Sequence, residues 1–306
     1  MFKWIFTFLF LFLSFPAYSK ISVVSTTSDL AYIAEQIGGE KVSVFSMIRG
    51  SDDPHFVMTR PDYLVKLNKA DLFILVGLDL EIGWAPLLIQ QSRNLKIQKG
   101  QSGYCDASLG IKILGEPAVN VDRSMGDMHI YGNPHYWNDP VNIIRMSNTI
   151  EASLSRVDPS NQNYYKKNNK EFKNRIAELT KAEMKKFKPY FGARVAVFHD
   201  QFIYLANRFR FTANLSIEEK PGVPPSSRYM EQVIKNMKSN NIKIILIAPY
   251  HNIRYANYVS SRVKGSRVLT LPVSVGSLPN TDTYEKALAE SLRLIRETLN
   301  ETGYKK

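Results

Sequence analysis

The chain has 306 residues, of which 22% are charged and 44% hydrophobic, with a formal net charge of +12. That length suits two domains of ~150 residues each. A single cysteine, Cys105, excludes an internal disulfide and every cysteine-rich zinc motif, so a metal site must use His, Asp, Glu and water.

The first nineteen residues read as a secretory signal peptide: a basic start at Lys3, an apolar run from Trp4 to Phe15, and small residues Ala17 and Ser19 before a cut at Lys20. The run is too short for a membrane-spanning helix, which needs about 20 apolar residues. Cleavage would remove Lys3 and leave +11 of the +12. A basic chain could meet nucleic acid or an acidic membrane surface. The export signal and the scattered Lys and Arg residues argue against nucleic acid. The densest basic stretch, Lys166–Lys188, also carries Glu171, Glu178 and Glu183 and reads as a solvated helix face.

From Lys20 the pattern alternates. Ile21–Thr27 reads as a buried strand, and Thr27 or Ser28 caps a helix over Asp29–Ile37 that stops at Gly38-Gly39. Lys41–Ile48 is a second strand and runs into turn formers up to His55. Pro61 opens a helix through Lys69. Asp71–Gly77 is a third strand and Ile82–Gln91 a helix. Ser102–Gly126 is irregular. Val141–Ser155 is helical, with apolar positions at Ile143, Met146, Ile150 and Leu154.

A long helix follows from Asn161 to about Lys188, with no glycine or proline inside. At 1.5 Å per residue it spans ~40 Å. Its apolar content is thin, so it reads as a partly exposed strut between two lobes. Beyond Pro189 come a strand at Val195–Phe198, an aromatic-rich helix at Phe202–Phe211, and a stiff loop from Glu218 to Ser227. Then follow a helix at Tyr229–Ser239, a strand at Ile242–Ala248, a helix at Ile253–Lys264, a strand at Arg267–Leu271 and a closing helix at Thr283–Leu299.

Strands alternating with helices indicate an α/β fold with mostly parallel sheets. The expected division is a signal peptide (1–19), an N-terminal lobe (20–158), a linking helix (159–188) and a C-terminal lobe (189–306).

In parallel sheets, ligands collect beyond the carboxyl ends of strands. The chain has five histidines, and His55, His135, His199 and His251 all fall in connecting positions. Any one of them alone is ordinary. Their conjunction points to His55, His135 and His199 converging on one metal ion, with two of them stiffened by proline: Asp53-Pro54-His55 and Asn133-Pro134-His135. Imidazole suits zinc and other late divalent ions.

These segments resemble the motifs of the periplasmic zinc- or manganese-binding receptors of ABC importers, the ZnuA/TroA-like family with a helical backbone. Asp53-Pro54-His55 with Arg60-Pro61-Asp62 looks like its first ligand motif, Asn133–Pro140 like its second, and Phe198–Tyr204 like its third. The resemblance covers essentially the whole mature chain. It implies two α/β lobes joined by one long helix, and His55, His135 and His199 as ligands. It also implies capture of Zn2+, or alternatively Mn2+, in the periplasm and delivery to an ABC membrane permease, without catalysis; the chain is expected to act as a monomer.

The chain departs from that family in places. Many relatives place an aspartate where Ser274 stands, and often a glutamate where Ala248 stands. The fourth position is left to water, His251 or an unidentified carboxylate, with His129 a candidate outer partner. No His-rich loop lies within Ser102–Asp127. Two other readings compete. A secreted zinc hydrolase would need an open position and a base; Glu218 and Glu219 could be proposed, though loop glutamates are more often solvated. A metal-free adhesin or binding module could share the fold. Trp84 and Trp137 read as packing anchors, with Trp137 a possible wall of the site, and Met125 and Met128 as filler.

Overall fold

The computed structural model of the protein describes residues 20–116 and 129–304. The expected signal peptide, Met125 and Met128 lie outside the described residues. Two four-stranded sheets form the lobes. In the first, β1 (Ile21–Ser25), β2 (Val42–Ser46), β3 (Leu72–Leu75) and β4 (Tyr104–Asp106) take the order β2-β1-β3-β4. In the second, β5 (Arg194–Val197), β6 (Thr212–Ser216), β7 (Ile244–Ile247) and β8 (Arg267–Thr270) take the order β6-β5-β7-β8. All pairings are parallel. The central strands β3 (LFIL) and β7 (IILI) are buried throughout, as a sheet covered on both faces requires.

Two strands escape a pattern reading. Segment 102–126 was expected to be irregular, yet Tyr104–Asp106 pairs with Phe73–Leu75 as an edge strand. Three residues are too few to display a period. Likewise β6, Thr-Ala-Asn-Leu-Ser, carries few apolar residues because it lies at a sheet edge.

The helices follow their sequence signals. Thr27 accepts the Leu30 N–H to cap α1 (Ser28–Gly38), and Pro61 opens α2 (Pro61–Asn68). A shorter α3 (Ala85–Gln91) follows, then α4 (Pro140–Val157), capped by Asp139. The 26-residue α5 (Gln162–Phe187) buries Tyr165, Asn169, Phe172, Ile176, Glu183 and Phe187. These fall three, four or seven apart and make one stripe. The stripe packs on α1 and α4 of the first lobe and on α9 (Tyr284–Glu301) of the second. Between them run α6 (Ile203–Phe209), α7 (Ser227–Ser239) and α8 (Ile253–Ser261).

The lobes share one apolar core. A single buried cluster runs from Val23, Ile33 and Ile74 through Phe172 and Ile176 to Val195, Leu246 and Leu292. Polar bonds cross the same seam. Trp137 Nε1 donates to the Val273 carbonyl at 2.9 Å, Ser28 Oγ to the Val275 carbonyl at 2.8 Å, and Tyr204 Oη to the Asn133 carbonyl at 2.8 Å. Arg208 of α6 grips Asp139 with two bonds of 2.7 and 2.8 Å. Gly50 approaches so closely that an ideal Cβ would lie 2.1 Å from the Val275 carbonyl oxygen. The loop that carries His55 is thereby pressed against the second lobe.

Asp139 therefore serves twice, as the cap of α4 and as the anion across the seam. Asp139→Ala should destabilise the metal-free protein by roughly 2–4 kcal/mol, since it strands Arg208 and uncaps a helix. A shift of the denaturant midpoint at unchanged slope measures this.

Candidate metal centre

The same local device presents two of the histidines. In Asp53-Pro54-His55, one aspartate oxygen accepts both the His55 backbone N–H at 3.0 Å and its ring Nδ1–H at 2.8 Å. In Asn133-Pro134-His135, the asparagine oxygen accepts the His135 backbone N–H at 3.0 Å and its Nδ1–H at 3.0 Å. The intervening proline has no N–H to compete and holds the turn. The amide orientation of Asn133 is fixed from its other end, where Nδ2 donates to the Asp200 carbonyl at 3.1 Å. Trp84 Nε1 donates to the Pro54 carbonyl at 3.1 Å and pins the first of these turns.

His199 is held differently. It leaves the end of β5 in an extended conformation, and its Nδ1–H donates to Glu218 Oε2 at 2.8 Å. Glu218 stands just past β6, and its own N–H donates to the Phe198 carbonyl at 3.0 Å. The expectation that Glu218 is a solvated loop residue is corrected: its side chain is 8% exposed. The signal lay in a strand reading of Thr212–Ile217, which would have set Glu218 beside His199 at neighbouring strand ends.

In all three cases an oxygen acceptor claims Nδ1–H, which leaves the Nε2 lone pair pointing elsewhere. The Nε2 atoms of His55, His135 and His199 are all buried with no hydrogen-bond partner. The three residues form a group whose candidate ligand atoms lie within 4.8 Å of one another. Their ring centroids are 5.1, 5.5 and 5.1 Å apart. Imidazoles at 2.0–2.1 Å around one tetrahedral ion would put centroids roughly 5 Å apart. The residues present fit a divalent metal.

Electrostatics divides the three. Burial, with the neighbouring histidines, holds His135 well below its usual pKa, so its ring is neutral. Burial also acts against a charged His199, but the Glu218 hydrogen bond and the charges of Asp200, Glu218 and Asp53 outweigh it and raise its pKa. Asp53 is lowered: burial opposes ionisation, and the His55 contact overcomes it. Asp200 Oδ1 stands 3.4 Å from His199 Nε2.

The positions where the chain departs from its relatives, and the remaining histidines, lie around the triad. Ser274 lines a small interlobe pocket with Asp29, Trp137 and Asn138. His251 stacks on Phe198 at 4.6 Å and meets the edge of Tyr250 at 4.6 Å; its ring is 5.8 Å from that of His199. Ala248 is buried at the end of β7. Trp137 packs 5.3 Å from the His135 ring, so it does wall the centre as well as anchor the seam. His129, with His55, lines an open cleft of about 730 Å³ whose other walls include Phe56, Met58, Leu80 and Trp84.

Solved structures share this architecture. A crystal structure of ZnuA matches with a TM-score of 0.77 at 22% identity, covering 92% of this chain and 99% of its own, and so speaks to the fold. A Mn-bound periplasmic metal-binding protein from Candidatus Liberibacter asiaticus matches at 0.73 and 25% identity over 92% of this chain and 100% of its own. In sequence, the high-affinity zinc uptake system protein ZnuA of Bacillus subtilis is 25% identical over 248 residues, 80% of this chain and 76% of that protein. The manganese ABC transporter substrate-binding lipoprotein PsaA of Streptococcus mitis is 29% identical over 171 residues, 55% of this chain. There the match spans about half of the relative's length, 52%. The family model described as the zinc-uptake complex component A, periplasmic (ZnuA), matches residues 23–298, and the chain belongs to that family.

Proposed function

We propose that this protein is the receptor of a metal importer: it captures a divalent transition metal between its lobes and delivers it to an ABC membrane permease. His55, His135 and His199 are the ligands, and zinc is the first candidate, manganese the second. The observation that carries this reading is the set of three buried Nε2 atoms, each bare because its ring partner Nδ1 is already bonded to Asp53, Asn133 or Glu218. A bare buried acceptor costs about 1–3 kcal/mol. Three facing one another are explained by a shared cation. The named zinc and manganese relatives support the same class of cargo.

Nitrogen donors favour zinc, whereas manganese prefers oxygen. The hydrolase reading is disfavoured, because of its two candidate bases Glu218 is occupied by His199 and Glu219 is exposed. A metal-free binding module gives no account of the bare nitrogens. Export to the periplasm through residues 1–19 fits the role.

Elemental analysis of protein purified without a metal affinity step, with zinc and manganese calorimetry, tests the proposal. One ion per chain and tighter binding of zinc are expected. The double variant His55→Ala, His135→Ala should lose measurable zinc binding; full affinity in that variant would sink the reading.

Protons compete with the metal, and His199 sets where. Its pKa is raised, and the proton that charges the ring sits on Nε2, the metal-facing atom. Zinc affinity should therefore fall as pH drops through a value above 6.5, by up to about tenfold per pH unit. His135, already depressed, adds no competition in that window. Glu218→Gln keeps an acceptor but removes the charge. It should move the midpoint to lower pH and cost roughly 10–100-fold in affinity above it. Calorimetry across pH 5–8 reads both effects.

A further inference from the structure

A closed tetrahedral site needs four donors, and the triad supplies three. We propose that His129 is the fourth, so that the ion is held by four imidazoles and His129 closes the centre on the side of the open cleft. This rests on the reading that the centre binds a metal.

His129 Nε2 is buried and has no hydrogen-bond partner, the same state as Nε2 of the three ligands. Its ring lies 5.4 Å from His55 and 6.5 Å from His135, just outside the triad and near the roughly 5 Å spacing of imidazoles sharing one ion. It therefore meets two of the three rings. His251 Nδ1 is likewise buried and bare, but its ring, held by its stack on Phe198, comes near His199 alone among them. Asp200 Oδ1 stands 3.4 Å from His199 Nε2, but its side chain is 54% exposed, whereas Nε2 of His129 is buried.

The backbone sets His129 in place. Its carbonyl accepts the Gly132 N–H at 3.2 Å, and Asn133 N–H then donates to the Leu114 carbonyl at 2.8 Å. Gly132 sits at φ +94°, and an ideal Cβ there would lie 2.3 Å from Ile113 Cγ2. The turn thus needs glycine, and it fixes the chain three residues after His129 and three before His135. His55 and His129 are the two histidines lining the cleft. An ion entering by that route would meet them first, and His129 would close the centre behind it. Four neutral nitrogens also sharpen the preference for zinc over an oxygen-seeking ion.

The test uses the mature chain from Lys20, loaded with Zn2+ for X-ray absorption and with Co2+ as a visible-spectrum probe. Variants are His129→Ala, Asp200→Asn, His251→Ala and His135→Ala. The wild type is expected to show four imidazoles on zinc. His129→Ala should show three imidazoles plus an oxygen donor, altered cobalt bands, and a zinc affinity lower by at least the tenfold that loss of an outer partner brings. Asp200→Asn and His251→Ala should keep the wild-type spectrum. The proposal is overturned if His129→Ala keeps the cobalt spectrum and binds zinc within about twofold of wild type. It is equally overturned if Asp200→Asn or His251→Ala removes the fourth donor. His135→Ala separates the two levels: loss of the ion there, with His129→Ala unchanged, leaves the metal reading standing and removes only this inference. A wild type that takes up neither ion overturns both.

Discussion

Three imidazole nitrogens are buried face to face with nothing to bond to, and the fold has to keep them there. Without a cation that arrangement is costly, because each bare acceptor has lost its water. A flexible structure would relax by letting solvent in or by turning the rings. Here each ring is tied at Nδ1 to an oxygen that is itself fixed. Asp53 sits in a turn pinned by Trp84, Asn133 is bonded to the Asp200 carbonyl, and Glu218 is tied by its backbone to the neighbouring strand. The cost is carried by the surrounding packing, which does not depend on the metal.

That packing also ties the two lobes to each other. The apolar cluster passes from the first sheet through the α5 stripe into the second without interruption. Across the seam, the Arg208–Asp139 pair, the Trp137 indole and the close approach of Gly50 to Val275 fix the distance between lobes. Two of the three facing histidines come from the first lobe and one from the second, so an error in the seam would appear directly as an error in the nitrogen positions. A helix of 26 residues that packs on both lobes limits hinge motion.

The oxygens behind the rings also set the charge. A divalent ion on neutral imidazoles would bring two uncompensated charges into a buried place. Asp53 and Glu218 supply carboxylates one ring away, on the Nδ1 side of His55 and His199, close enough to compensate such a charge. The same carboxylates raise the proton affinity of His199, so a feature that would favour a metal would also make its binding sensitive to acid.

Much of this is written locally in the chain. The alternation of apolar runs with capped helices pointed to the parallel α/β class, Pro61 marked the first residue of α2, and Thr27, one of two candidates, is the cap of α1. Asp-Pro-His and Asn-Pro-His are self-contained devices: side chain, proline and ring interact within three residues, so sequence alone determines how those two histidines are presented. The edge strands β4 and β6 were illegible because they are short and carry little periodic signal. With β6 unseen, Glu218 could not be set beside His199, a contact 19 residues apart. Which histidines meet, that Ser274 and His251 stand aside, and that His129 faces the cleft are likewise decided by tertiary structure. These depend on how two sheets pack across a shared core, and no local pattern encodes that distance.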